Sequence, residues 1–232
     1  MKKTLLLSCL LAGTLVFAGP DKKPGKWTTL FDGKSLTGWH SYKKDRVVGW
    51  SIDNGTLVPD GTGGDLVTDK EYENFELEFE FKIPAKSNSG VIYKVIESPE
   101  NATTYMSGPE FQVIDDGGYS WMENGKKMSI SDKQKTGANY DMHPPTDLTA
   151  VKPAGEWNKG RIVVNNNHVE HYLNGKKVVE YHYGSDAWKA QVAQSKFAKW
   201  PYATPHAKGK IALQNHSPDE KVWYRNIRIR EL

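Results

Sequence analysis

The chain has 232 residues, with 31 Lys+Arg against 28 Asp+Glu, 38% hydrophobic and 25% charged residues. This composition excludes a disordered polyelectrolyte, which would be poorer in apolar residues. It also excludes a nucleic-acid binder of the basic-patch kind, which would carry a larger positive excess, and no apolar run long enough to cross a bilayer follows the N-terminus.

Residues 1–18 read as an export signal: Lys2 and Lys3 open it, Leu5 to Phe17 form a short apolar core, and Val16 and Ala18 fit the cleavage positions. The expected location is therefore periplasmic or secreted. Cys9, the only cysteine, falls inside this signal, and Leu6-Leu7-Ser8-Cys9 loosely resembles a lipid-attachment box. The apolar core continues past Cys9, which favours simple cleavage downstream. The mature chain then has no thiol for catalysis, metal binding or disulfides. Residues 19–26 (GPDKKPGK) read as a flexible lead-in, and 27–232 as one domain, since no repeat or linker divides them.

The hydrophobic period is two. In Phe75–Ile83 (FELEFEFKI) the apolar residues face one way and Glu76, Glu78, Glu80 and Lys82 the other, a half-buried strand with a solvated outer face. Further strands are expected at Gly90–Ile96, Glu110–Ile114, Arg161–Val164, His168–Leu173, Lys177–Tyr181, Gly209–Asn215 and Val222–Arg230. Asn174-Gly175 predicts a tight hairpin, because both turn residues must accept positive φ. Ser185–Phe197 is the one fair helix candidate. Many short strands with frequent turns imply an antiparallel sandwich or barrel. Residues 115–156 show no sustained alternation. Loops of this length are functional or disordered, and Trp121, Met122 and Tyr140 favour a loop laid over a binding face.

No P-loop, dinucleotide fingerprint, nucleophile elbow or H-E-x-x-H zinc motif occurs. His168 and His171 would face opposite sides of a strand, so a shared metal is not expected. Glu110 and Gln112 share a strand face, as do Gln214 and His216, and Lys94 interrupts an apolar strand. Each alone fits an exposed polar position. Together they point to a polar groove, because burying a carboxylate and amides without partners is costly unless a polar ligand meets them.

The motifs LFDGKSLTGW (Leu30–Trp39), Trp50–Leu57, GGDLVTDKEYENFELEFEFK (Gly63–Lys82), NSGVIYK (Asn88–Lys94), GPEFQVID (Gly108–Asp115), EWN (Glu156–Asn158), YLNG, IALQNH and YRNIRIREL (Tyr224–Leu232) follow one another along the chain. In this order they resemble the 3-keto-disaccharide hydrolase domain family. The resemblance implies an all-β, concanavalin A-like jelly-roll β-sandwich of two antiparallel sheets, with the long loop over its concave face. It implies an exported enzyme whose partner is a carbohydrate substrate. The family's G-x-E-x-Q falls on Glu110 and Gln112 and its L-Q-x-H on Gln214 and His216. Lys94 stands where the family often has Arg, which loses the bidentate fork. The connection Ser217–Lys221 is longer than the family's usual one.

Ordinary glycosidases need two carboxylates flanking the bond, and Glu110 has no evident second partner in the sequence. A 3-keto sugar relaxes that need, because the ketone acidifies the C2 proton and permits elimination at C1 followed by water addition. On this reading Glu110 and His216 serve as base and acid, in either order. Lys94 or a divalent cation stabilises the enediolate, although no spacing requires a metal. Asn88, Gln112, Tyr140, His143 and Gln214 hold sugar hydroxyls. The competing expectations are a lectin-like glycan-binding module, an endo-glucanase with a second carboxylate across a groove, and an adhesive surface domain.

Overall fold

The computed structural model describes residues 24–232. The expected signal at 1–18, with Cys9, and most of the lead-in lie outside the described residues. The strands are β1 (Thr28–Phe31), β2 (Trp39–Ser41), β3 (Trp50–Asp53), β4 (Thr56–Pro59), β5 (Leu66–Thr68), β6 (Phe75–Lys82), β7 (Asn88–Val95), β8 (Glu110–Ile114), β9 (Ser120–Glu123), β10 (Lys126–Ser129), β11 (Asn158–Asn165), β12 (His168–Leu173), β13 (Lys176–His182), β14 (Lys210–Leu213) and β15 (Trp223–Glu231). One α-helix, α1 (Asp186–Ala193), follows β13. All ladders are antiparallel. The larger sheet runs β13-β12-β11-β6-β15-β4-β3, with β1 added beside β15. The smaller runs β2-β5-β14-β7-β8. The fold is the expected concanavalin A-like jelly-roll sandwich.

Alternation builds the core. Phe75, Leu77, Phe79 and Phe81 of β6 point inward, and so do Phe111 and Val113 of β8. Phe79 and Phe111 meet edge to face at 5.3 Å between ring centres, a favoured aromatic geometry. The opposite side of β6 is the outer face that the sequence predicts, but its glutamates are paired rather than merely solvated. Glu76 receives Arg161 and Arg230, Glu78 receives Arg228, and Glu80 receives Arg225. Trp27 and Trp157 lie against these guanidinium groups.

The long segment 115–156 is a loop with one hairpin, β9–β10, and a 3₁₀ turn at 132–134. Its residues 137–140 run along the free edge of β8: Gln112 donates to the Ala138 carbonyl, and Tyr140 donates to the Glu110 carbonyl. A buried polar chain fastens this loop to the core. His171 bonds the Gly137 carbonyl through Nδ1 (3.0 Å) and Tyr93 Oη through Nε2 (2.8 Å), and Tyr93 in turn meets Tyr181 Oη at 2.7 Å. Burial holds His171 down at about 4, so the ring is neutral. The helix is shorter than the sequence suggests. Ser185 caps it by accepting from the Trp188 amide, and it ends at Ala193, after which two 3₁₀ turns carry Phe197 and Tyr202 inward.

Candidate active site

The outward face of the smaller sheet carries a cavity of about 610 Å³, within the usual size for a small-molecule site. Strand register makes its floor. β8 presents Phe111 and Val113 to the core and therefore Glu110 and Gln112 to the cavity. Gly90 of β7 pairs with Gln112, and the Gln214 amide donates to the Gly90 carbonyl at 2.9 Å. Leu213 pairs with Leu66, so the next register step sets Gln214 beside Asp65. Gln112, Gly90, Gln214 and Asp65 thus form one row across four strands. Gly90 has a steric reason: a Cβ there would overlap the Glu110 carboxyl.

The walls come from loops. Tyr140 enters from the long loop, Tyr105 from the 3₁₀ turn after β7, and Lys196, Phe197 and Trp200 from the turns after α1. Asn215 and His216 follow β14. Lys196 pairs with Asp141 at 2.7 Å and lies 4.3 Å from the Tyr140 ring centre. Tyr105 and Trp200 stand 5.8 Å apart at the rim.

Four buried side-chain atoms on this cavity lack a partner among the described residues: Asn88 Oδ1, Gln214 Oε1, Asn215 Oδ1 and Thr103 Oγ1. Orphaned polar atoms are costly inside a protein. Their concentration here marks a surface that a polar ligand completes.

Two carboxyls are perturbed. Burial raises Glu110 to about 8, and the negative Asp65 adds to the shift while Lys196 opposes it. Burial also raises Asp65, offset by the Thr104 hydroxyl and the Asn215 amide that it accepts. Glu110 is therefore mostly protonated at neutral pH. His216 sets Nδ1 2.8 Å from Glu220 Oε2, while Nε2 has no protein partner among the described residues.

Six sequence-predicted residues meet at this cavity: Asn88, Glu110, Gln112, Tyr140, Gln214 and His216. Two do not. Lys94 sits at a β-bulge: β7 advances three residues from Ile92 to Val95 while β14 advances two, and Lys94 takes φ 55°. The bulge breaks the alternation that the sequence implies. Lys94 Nζ instead donates to the Ala207 carbonyl and lies 5.5 Å from the Tyr183 ring centre. His143 turns away with the backbone reversal at Asp141 and stacks on Tyr181 at 4.7 Å. Asp65, Lys196 and Trp200 also line the cavity and were not singled out from sequence. They stand at strand ends and in turns, where no period identifies a face.

Among the described residues, one trio of His and carboxylate groups brings its ligand atoms within 4.8 Å: His168, Glu170 and Glu180 on the outer face of β12 and β13. Lys177 already bridges both of its carboxylates. Asp65, Glu110 and His216 of the cavity form no such trio.

The family model for a 3-keto-alpha-glucoside-1,2-lyase-like domain matches residues 26–230. The chain is 36% identical to a 3-keto-disaccharide hydrolase of Bacteroides thetaiotaomicron, with all of both chains covered. A crystal structure from Parabacteroides distasonis, solved as a candidate glycosyl hydrolase, superposes with a TM-score of 0.83 at 38% identity, covering 90% of this chain and 94% of that one. A second from the same organism, described likewise, gives 0.69 at 30% identity, covering 89% and 100%. A match across nearly the whole described sandwich, including the strands that floor the cavity, shows that the chain belongs to the 3-keto-disaccharide hydrolase family of carbohydrate-active enzymes.

Proposed function

We propose that the chain cleaves the C1–O bond of a 3-keto-glycoside by elimination, after export from the cytoplasm. The observation that carries this reading is a buried Glu110, its carboxyl raised by burial to about 8, and an imidazole, His216, opening on one cavity where the amide oxygens of Asn88, Gln214 and Asn215 lack partners. His216 Nε2 takes the C2 proton, and the electron pair forms an enolate on the C3 oxygen. Collapse of the enolate restores the ketone, forms the C1–C2 double bond and breaks the bond from C1 to the leaving oxygen. Glu110 gives its proton to that oxygen. Water then adds across C1 and C2, so the net result is hydrolysis.

The donors that face the cavity suit the charge that develops. The amides of Gln112 and Gln214 and the Lys196 ammonium are among the cavity donors able to favour an oxyanion there. Fixed donors of this kind supply the largest catalytic contribution in many enzymes. Lys196 takes the role that the sequence alone assigned to Lys94. Tyr105 and Trp200 at the rim offer flat apolar faces to the departing sugar.

Incubation with a 3-keto-glucoside in deuterated water tests the reading. Turnover with deuterium entering at C2 is the expected result. Release of the aglycone with C2 hydrogen fully retained points instead to displacement at C1, and binding of unoxidised glycans without any turnover points to a lectin-like module. N-terminal sequencing of the mature protein, expected to begin at Gly19, tests the export step.

A further inference from the structure

A second, much smaller chamber borders Glu110. It shares Glu110, Tyr140 and Phe197 with the main cavity and reaches Asn139 and Tyr202, which the main cavity does not touch. Its volume is about 10 Å³, the room that one ordered water needs. Gly108 forms part of its wall without a side chain, and a Cβ there would overlap the Tyr93 carbonyl.

Three polar side chains line this chamber, each from a different segment: Glu110 from β8, Asn139 from the long loop, and Tyr202 from the 3₁₀ turn at 201–203. Tyr202 is 2% exposed, and its Oη has no hydrogen-bond partner among the described residues. Trp188 and Phe197 fix its ring, at 5.2 Å and 4.9 Å between ring centres. Burial raises the hydroxyl to about 12, against the opposing side chains of Asn139 and Trp188, so it keeps its proton at neutral pH. Asn139 is pinned by backbone bonds exchanged with His143, at 3.1 and 2.9 Å. Glu110 has the complementary lack. Burial and neighbouring charges set its carboxyl, and no hydrogen bond contributes. A buried hydroxyl with an unused proton is costly. A sugar does not fit a space of this size, and the cavities that stay dry in proteins are apolar ones.

We propose that this chamber is a water-binding site and that Tyr202 is a positioning residue for Glu110, acting through the bound water. The water accepts from the Tyr202 hydroxyl and donates to the Glu110 carboxyl. An acid that gives up its proton becomes an anion, and a donor already in place favours that anion. The water site goes beyond the proposed reaction and stands on the chamber alone. The benefit to catalysis rests on that reading.

A high-resolution crystal structure of the full chain tests the site. It should show an ordered water within about 3 Å of both Tyr202 Oη and a Glu110 carboxyl oxygen. Tyr202→Phe keeps the ring and removes the hydroxyl. In that variant the water should be lost, and the Glu110 titration should move upward by about one pH unit, because the anion loses a donor. The titration is read by ¹³C NMR of the labelled side-chain carboxyl and assigned with Glu110→Gln. On a 3-keto-glucoside, kcat should fall by about tenfold while KM changes less than about threefold. A wild-type structure without water in the chamber, or a Tyr202→Phe chain with an unchanged Glu110 titration, overturns the inference. If the water and the titration change are both found in a chain that does not act on 3-keto-glucosides, the water site stands and the proposed reaction alone falls.

Discussion

On the proposed reading, Glu110 acquires its chemical role from its neighbours. On a solvated strand it would be an ordinary anion. Here the core lies behind it, Gly90 leaves room beneath it, and Asp65 supplies like charge, so its carboxyl is raised to about 8. An acid that must give up its proton works only while protonated. Activity should therefore hold through neutral pH and fall as pH rises through about 8, which a pH profile of kcat checks. Glu110→Gln keeps the shape and removes the proton, and it should cost at least about a hundredfold in kcat. If the variant turns over a 3-keto-glucoside at the wild-type rate, Glu110 is not the acid. Much of this was legible in the sequence, since E-F-Q-V in a strand must send Glu110 and Gln112 one way and Phe111 and Val113 the other. The place of Lys94 was not, because nothing in V-I-Y-K-V announces that the residue adopts φ 55° and shifts the parity of the strand. Asp65 stands just before β5, and its place on the cavity depends on contacts between distant segments.

At the scale of elements, the site exists because β8, β7, β14 and β5 are in register, and Gly90 is the position where that register is most exposed to a single change. Gly90→Ala puts a methyl group where the Glu110 carboxyl lies. The obstacle is the end of a side chain rather than backbone, so the strand can keep its hydrogen bonds while Glu110 swings away. Turnover should drop about a hundredfold, the scale of losing a proton donor, while unfolding free energy changes by roughly 1–3 kcal/mol. Chemical denaturation beside kinetics separates the two effects. A variant that is as active as wild type would show that Glu110 does not need to lie over β7. The same scale explains why the sequence foresaw the outer face of β6 only in outline. Alternation identifies its glutamates as outward, but it does not say that β11 and β15 will bring arginines opposite them, or that Trp27 and Trp157 will cover those arginines. Such partly exposed pairs contribute little individually. Their value here is to keep three neighbouring carboxylates compatible with one strand.

For the molecule as a whole, two of the buried ionisable groups on the smaller sheet, Glu110 and Lys94, pull the response of stability to pH in opposite directions. Burial raises Glu110 from 4.5 to about 8, and burial lowers Lys94 from 10.5 to about 8, against an opposing pull from Glu73. Between 4.5 and about 8 the folded chain keeps a proton on Glu110 that the unfolded chain has released. That contribution is therefore complete below 4.5 and is lost as pH rises through about 8. For Lys94 the unfolded chain holds the proton that the folded chain lacks between about 8 and 10.5, so stability increases with pH across that window. The two slopes have opposite sign and meet near pH 8, which places a stability minimum from these two groups there. Melting temperatures at about pH 6, 8 and 10 should show the dip in the wild-type chain and a flatter line in the Glu110→Gln/Lys94→Met double variant. Loss of the Lys94 hydrogen bond to the Ala207 carbonyl shifts the whole line without creating a minimum, since that cost does not depend on pH. If the double variant keeps the dip, the groups that couple folding to protons lie elsewhere in the sandwich, and the buried carboxyl loses its claim to carry a proton at neutral pH.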